Sequence, residues 1–570
     1  MKKAFVLYTL FILLLSACQP GGGAVVQSIA TEPALAADAT QPVEATQPVD
    51  ATAVEPSSET EVTDPPAADA DPSVVTRALT SEPPSLDPHG PAGSGQNVIL
   101  PFLFDTLVYR DFDNEYRPYL ATDWEFSDDG TTVTMNLRDD VVFHDGTPFN
   151  ADAVLFNIDR LRQAGPRSPA SNGVAEITEV EKVDDYSVVF HFDQPSAVLL
   201  STLSTPYAAM ISPTAAQAQG DTFGQNPVGS GPYMLESWIP GQEIHLTVNP
   251  DYSWAPPVVE NQGRPDIDRL VFKIIPDPTA QVNAFQNDEV DILFINNPGH
   301  LAQLRQDENA VLLENTLNSL IYLGFNMNEP ALQNLQVRQA LSHAVNKQEI
   351  VDIALGGIGE VVFAPLVPTL PGFDPSLADY ELGYEPQMAQ QLLEEAGYVM
   401  GPGDLYTSPD GQPLTLTLLT STRPPNEAIA TVLQSQLKAV GVEVQIQQLE
   451  STAVMEAAAN GEYDLLLWRY DWNDADVLNV YLGSDRIGST NRQFYQNEQV
   501  DELLNLGAHT LDETERQQYY LQAQQLILQD AVWQPLYTPL DYTVVRSTLD
   551  NVVLGPMGRL LLNDAHWEGN

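Results

Sequence analysis

At 570 residues the chain is too long for a single hydrophobic core, and its length points to about three or four structural units. Its 78 Asp and Glu against 24 Lys and Arg give a formal charge of -54, which repels nucleic acid and anionic lipid and excludes both as partners of the folded part. The only cysteine is Cys18, so no internal disulfide and no cysteine-based zinc site forms, and the eight histidines show no metalloprotease spacing.

Residues 1–17 have the layout of an export leader: Lys2 and Lys3, an apolar stretch over 4–15 that is too short to span a bilayer, then the small Ser16 and Ala17. Leu15-Ser16-Ala17-Cys18 looks like a bacterial lipobox, which implies cleavage before Cys18 and lipidation there. Over residues 18–73 the composition turns to Ala, Thr, Pro, Asp and Glu, with near-repeats at 39–44 and 45–50 and no base before Arg77. So few large apolar side chains do not offset ordering entropy, and the segment reads as a disordered acidic tether.

The folded part is predicted to begin at Val74. Within residues 120–160, Val133, Met135 and Leu137 alternate with Thr132, Thr134 and Asn136 as a strand opened by the turn Asp128-Asp129-Gly130. A second turn, Asp145-Gly146, precedes Asn150, placed to cap a helix through Ala153, Val154, Phe156 and Ile158. This succession resembles the signature of the extracellular solute-binding proteins of family 5, the peptide, nickel and oligopeptide receptors of ABC importers. The resemblance implies an α/β, two-lobed periplasmic-binding-protein fold of type II, in the large peptide-receptor class with an extra subdomain. It divides the chain into 74–107 and 212–322 for lobe I, 108–211 for the extra subdomain, 323–535 for lobe II, and 536–570 for the return to lobe I.

Ser85-Leu86-Asp87-Pro88-His89 resembles the family's first loop, and the glycine-bearing loop after it, with Gly93 and Ser94, borders the ligand in relatives. His89, alone in a turn, is read as structural rather than as a metal ligand. Gly229-Ser230-Gly231-Pro232-Tyr233 lacks the Gly-x-Ser-x-Gly spacing of a nucleophile elbow and looks like the family's GTGPY turn, its glycines expected to supply unusual backbone angles. At Ile295-Asn296-Asn297-Pro298 the resemblance puts Asn296 and Asn297 at the cleft, where side-chain amides bond a ligand backbone; Asn297 is equally well placed to cap the next helix.

In the second half, Val337, Ala340, Leu341, Ala344 and Val345 recur at helical spacing, and residues 414–449 read as a complete βαβ unit of a parallel sheet. The Ser435-x-x-Lys438 match to penicillin-recognising enzymes falls inside that unit's helix and lacks its Lys-Thr-Gly partner. The segment richest in chemistry follows: an apolar run from Leu465 ends in Trp468, Arg469, Tyr470, Asp471, Trp472 and Asp474, and strand ends of open α/β sheets are where ligand crevices form. The resemblance places at Asp471 the acid that pairs with a peptide's ammonium. Asp474 competes for that role, Ala475 departs from the proline usual there, and helix capping by these acids is a third possibility. Tyr537 corresponds to a position near the family's cleft.

The resulting expectation is a monomeric receptor, without cofactor or metal, anchored at Cys18 on the outer face of the cell membrane or held in the periplasm. It encloses a short peptide or other small solute and presents it to the transmembrane subunits of an ABC permease. A metal chelate, haem or sugar as the solute, or a sensory protein without a permease, are the alternatives. A carboxylate-based hydrolase is the least supported, since no motif specifies its pair.

Overall fold

The computed structural model describes residues 73–93 and 95–569; the leader, Cys18, the acidic segment through Pro72, Ser94 and Asn570 lie outside the described residues. Twelve strands form one connected sheet, and a single strand, Trp533–Arg546, joins its two halves. On one side, Ile292–Ile295, Val74–Leu79, Arg269–Ile274, Glu243–Val248 and Tyr233–Ile239 succeed one another and make the first lobe; on the other, Ser319–Phe325, Leu465–Asp471, Thr415–Ser421 and Glu443–Leu449 make the second. The joining strand is almost wholly buried because it is covered twice: residues 533–537 pair with Ser319–Phe325, and 542–545 with Ile292–Ile295.

The chain also crosses between lobes where Ala310–Thr316 runs into Ser319–Phe325. The two crossings are stitched together: Leu317 N donates to Pro539 O at 3.1 Å, and Thr538 Oγ1 donates to Leu317 O at 2.8 Å. The strand Ser319–Phe325 pairs over its whole length with Leu465–Asp471, so the lobe boundary falls before Ser319 rather than at residue 323. Hydrogen-bond register, which composition does not carry, sets that position.

A separate antiparallel sheet of Ala121–Phe126, Thr132–Leu137, Ser187–Phe192 and Ile177–Asp184 stands apart from the main path. Val133, Met135 and Leu137 are buried as their alternation requires, and helix Ala151–Ala164 lays Val154, Ile158 and Leu161 into the same core. Asn150 Oδ1 accepts from Ala153 N at 3.1 Å, which satisfies one of the helix's orphan donors. In the second lobe, Thr415–Ser421, Asn426–Ala439 and Glu443–Leu449 form the parallel unit, with Ile429, Leu433 and Leu437 inward and Gly441 at φ 92 closing the helix.

The turn at Gly229-Ser230-Gly231 differs from its expectation in mechanism. Neither glycine has a positive φ; a Cβ on Gly231 would lie 2.5 Å from Leu103 C, and one on Gly229 would lie 2.0 Å from Leu103 O. These glycines serve close backbone approach, not unusual dihedrals.

Candidate functional site

Strand Leu465–Asp471 sits between an antiparallel neighbour, Ser319–Phe325, and a parallel one, Thr415–Ser421, so its leucines are buried on both faces. Its far end changes character. Tyr470 turns inward, donating Oη to Pro365 O at 2.8 Å beside the Trp533 ring, and burial holds its phenol well above the usual range. Arg469 and Asp471 turn outward and pair at 3.1 Å, with side chains 41% and 54% exposed. Trp468 and Trp472 are half-buried against the second-lobe core.

Asp474 points the other way. It is 3% exposed, and its Oδ1 accepts from Arg516 Nη2 at 2.5 Å and from Asp476 N at 2.9 Å. Arg516 also donates to Gly507 O and lies over the Tyr520 ring, so the pair fastens the strand-end loop to the helix Glu513–Gln529. This acid is consumed by the fold and leaves Asp471 as the exposed carboxylate of the two. The capping alternative falls to Asp474 rather than to its neighbour: its Oδ1 takes the Asp476 N–H just ahead of helix Val477–Leu482, whereas the Asp476 side chain makes no cap bond.

Three other candidates are spent locally. Asn297 Oδ1 accepts from Gly299 N and His300 N at 2.9 and 3.1 Å and so caps helix Pro298–Leu304. Tyr537 is packed in the second-lobe core with Ile321 and Leu536, and burial raises its phenol against the pull of Arg469. Gly93 lies so close to Pro84 that a Cβ would meet the ring at 2.5 Å, while its N–H goes to Gln96 Oε1. Asn296 is exposed just beyond strand Ile292–Ile295. His89 is buried, its Nε2 donating to Ala209 O at 2.9 Å, and burial pushes its imidazole down to about 4, which fits a structural residue.

The segment 108–114, at the start of the extra subdomain, meets the second lobe beyond this strand end. Arg110 Nη1 donates to Asn473 O at 2.6 Å, and Asn114 Nδ2 to Thr369 O at 3.3 Å. Beside that contact lies a cavity of about 190 Å³ lined by Arg77, Asn97 and Tyr207 from the first half of the chain, Asn473 from the second lobe, and Met557 and Arg559 from the C-terminal return. A larger hollow of about 740 Å³, bordered by Glu82, Gln225, Leu235 and Trp238, is confined to the first half of the chain. A solute there touches one lobe only and gains nothing from closure, so the smaller, two-lobed cavity is the better site despite its size. The sequence reading missed Arg77, Asn97 and Arg559. A signal was present: Arg77 interrupts an apolar alternation, Val75-x-Arg77-x-Leu79, in a chain poor in bases.

Ser230 is not a nucleophile. Its Oγ donates to the buried Asp105 at 2.8 Å, and Asp105 also accepts from Tyr119 Oη and Trp254 Nε1. Among the described residues no group of three or more His, Cys, Asp or Glu is arranged to hold a metal ion.

Residues 115–489 match the family model described as bacterial extracellular solute-binding proteins, family 5 middle. Similar proteins include heme-binding protein A of Haemophilus influenzae, 29% identical over 82% of this chain and 87% of the relative. Di/tripeptide-binding protein 2 of Pseudomonas aeruginosa is 30% identical over 77% of this chain and 84% of the relative. The dipeptide-binding protein of Pseudoalteromonas sp. SM9913, solved with Met-Leu, superposes with a TM-score of 0.70 at 26% identity, covering 87% of this chain and all of that one.

Proposed function

The chain belongs to the bacterial extracellular solute-binding proteins of family 5, and on that footing we propose that its solute is a short peptide held by its ammonium at Asp471. The family and the two-lobed fold make it a binding protein rather than an enzyme, the extracytoplasmic receptor of an ABC importer. Within that class the relatives are named for heme as well as for di- and tripeptides, so family membership alone leaves the solute open. The observation that carries the peptide reading is the division of labour between two neighbouring acids: Arg516 holds Asp474 in the core, while Asp471 presents an exposed carboxylate at the end of the strand that leads into Asn473, a residue lining the two-lobed cavity.

A solute touching both lobes stabilises their closed arrangement, and its differential affinity shifts the population. A short peptide offers backbone donors and acceptors throughout its length, which supports binding largely independent of side chain. With water excluded, a stranded charge costs roughly 2 to 5 kcal/mol. Asp471→Ala is therefore expected to weaken L-alanyl-L-alanine by about thirtyfold or more, Asp471→Asn to recover little, and N-acetylation of the dipeptide to mimic the loss. In calorimetric titration the double change should cost less than the sum of the single ones; additive losses mean that acid and amine never meet.

Heme is the second reading, favoured by the similarity to heme-binding protein A. Absorbance titration with hemin decides it: saturable binding of hemin in place of dipeptide replaces the peptide reading. Lipidation at Cys18 completes the proposal and accounts for an extracytoplasmic receptor that stays beside its permease.

A further inference from the structure

We propose that the cavity of about 190 Å³ between the lobes is an anion subsite in which Arg77 and Arg559 receive a carboxylate of the solute. This rests on the receptor reading but not on the solute being a peptide.

Arg77 stands in strand Val74–Leu79 between Val75 and Leu79, opposite Phe272 on one neighbouring strand and Ile292 on the other. It is 9% exposed, its Nε is buried without a hydrogen-bond partner, and its guanidinium makes no ion pair among the described residues. Some buried bases hold an acid, as Lys347 does Glu381 at 2.6 Å, Arg516 Asp474 at 2.5 Å and Arg546 Asp288 at 2.5 Å, while Arg110 and Arg338 hold none and donate instead to backbone carbonyls, Arg110 to Asn473 O at 2.6 Å and Arg338 to Asp530 O at 2.6 Å. An apolar strand that buries a guanidinium without a partner loses stability, because the charge has given up its hydration for nothing. A carboxylate arriving in the cavity supplies the missing partner, and a planar fork matches it in a bidentate fashion. Asp541 contributes an opposite field at Arg77 without touching it, and burial pushes that carboxyl up to about 6, so it is an incomplete counter-ion.

Arg559 brings a second cation to the same wall. Its Nη2 donates to Ser204 O and its guanidinium lies 5.8 Å from the Tyr109 ring centroid, but its Nε is buried and unpartnered. It follows a turn, Pro556–Gly558, in which Met557 (φ 59) and Gly558 (φ 69) both adopt left-handed angles and both line the cavity. Asn97 Oδ1 accepts from Tyr207 Oη, which leaves the Asn97 amide nitrogen as a further donor for an anion. In a chain with 24 bases against 78 acids, two arginines on one small wall mark a place where negative charge is invited. The volume falls below the roughly 300 to 1,000 Å³ of a whole-ligand pocket, which fits one end group of a solute. Because Asn473 of the second lobe closes the cavity, an anion bound there touches both lobes.

The test is thermal unfolding of the full chain with sodium succinate, L-alanyl-L-alanine or L-alanyl-L-alaninamide, at ionic strength held constant with sodium chloride. Carboxylates at up to about 50 mM should raise Tm above the chloride control, and the amide should raise it less than the free dipeptide. In Arg77→Met the carboxylate response should vanish while the Tm without added carboxylate stays equal or rises, since an unpartnered cation gives way to an apolar side chain. Arg77→Lys, which keeps the charge and loses the fork, should weaken carboxylate binding about tenfold or more in calorimetric titration and stay folded. A carboxylate response that survives Arg77→Met, a fall of several degrees in that variant without carboxylate, or a wild type indifferent to succinate overturns the subsite. A wild type that answers to succinate but to neither dipeptide nor its amide overturns the peptide reading and leaves the subsite standing.

Discussion

Two acids two residues apart show how one side chain's surroundings decide its role. Asp474 and Arg516 are both buried, so removing one charge strands the other, and Asp474→Asn is expected to destabilise the protein by roughly 3 to 5 kcal/mol in denaturant titration while the conserved shape of the amide keeps the loop in place. Asp476 has a folded-state pKa raised to about 7, chiefly by burial and then by the charge of Asp474. An acid raised in this way is protonated in the native state while already ionised in the unfolded chain, so its contribution to stability is complete below about 4 and is lost as pH rises to about 7. Relative to the wild type, Asp476→Asn should therefore gain about 2 to 3 kcal/mol between pH 5 and pH 8; a difference independent of pH would show that Asp476 is ionised throughout. His89 and His144 work in the opposite sense. Burial lowers both to about 4, so their share of stability is present above the ordinary histidine range and is lost as pH falls from about 6.5 to about 4.

At the scale of the element, glycines that look alike in the sequence do different work. Gly146 has φ 77 and open space around it, whereas Gly231 has an ordinary φ and backbone atoms of Phe102 and Leu103 where a Cβ would go. Gly146→Ala should cost about 1 to 2 kcal/mol, the price of a left-handed alanine. Gly231→Ala forces the strand Tyr233–Ile239 away from helix Gln96–Leu103 and should cost more, about 3 kcal/mol or above. Thermal denaturation of the two variants side by side checks the order; equal losses would mean that the close approach at Leu103 relaxes freely.

The whole molecule is organised by two crossings that lie against each other, Leu317-Asn318 and Thr538-Pro539, with the strand end at Asp471 and the Arg77 cavity on the lobe boundary. Hydrogen bonds between the crossings make a narrow, shared connection, and Asn473 of the second lobe and Arg77 of the first line one cavity beside it. The acidic segment ahead of residue 73 lies outside the described residues, and its composition, with few large apolar groups to offset ordering entropy, leads to the expectation that it adds nothing to stability. A chain beginning at Asp71 is expected to melt at the same temperature as the full chain, to bind dipeptide equally well and, on the proposal that Cys18 carries the lipid, to leave the membrane fraction. A lower Tm or weaker binding would show that the segment docks on the receptor, and firm retention on membranes would place the anchor elsewhere.

What the sequence determined by itself is everything governed by short-range periodicity and punctuation. The alternation at Val133, Met135 and Leu137, the cap at Asn150, the parallel unit within 414–449 and the family signature all depend on residues within a few positions of one another, and the structure forms each of them. What the tertiary structure alone decided is which polar groups are left over after folding. Asp471 and Asp474 are chemically identical in the sequence and part company only because Arg516, on a distant helix, reaches one and not the other. Asn297 and Tyr537 are claimed by a helix N-terminus and by a core that local pattern does not reveal. Arg77 and Arg559 stand 482 positions apart, and their shared cavity exists only because the C-terminal return runs back to the opening strand. Electrostatic partnership depends on distance in space and on desolvation, and neither is encoded in any local stretch of chain.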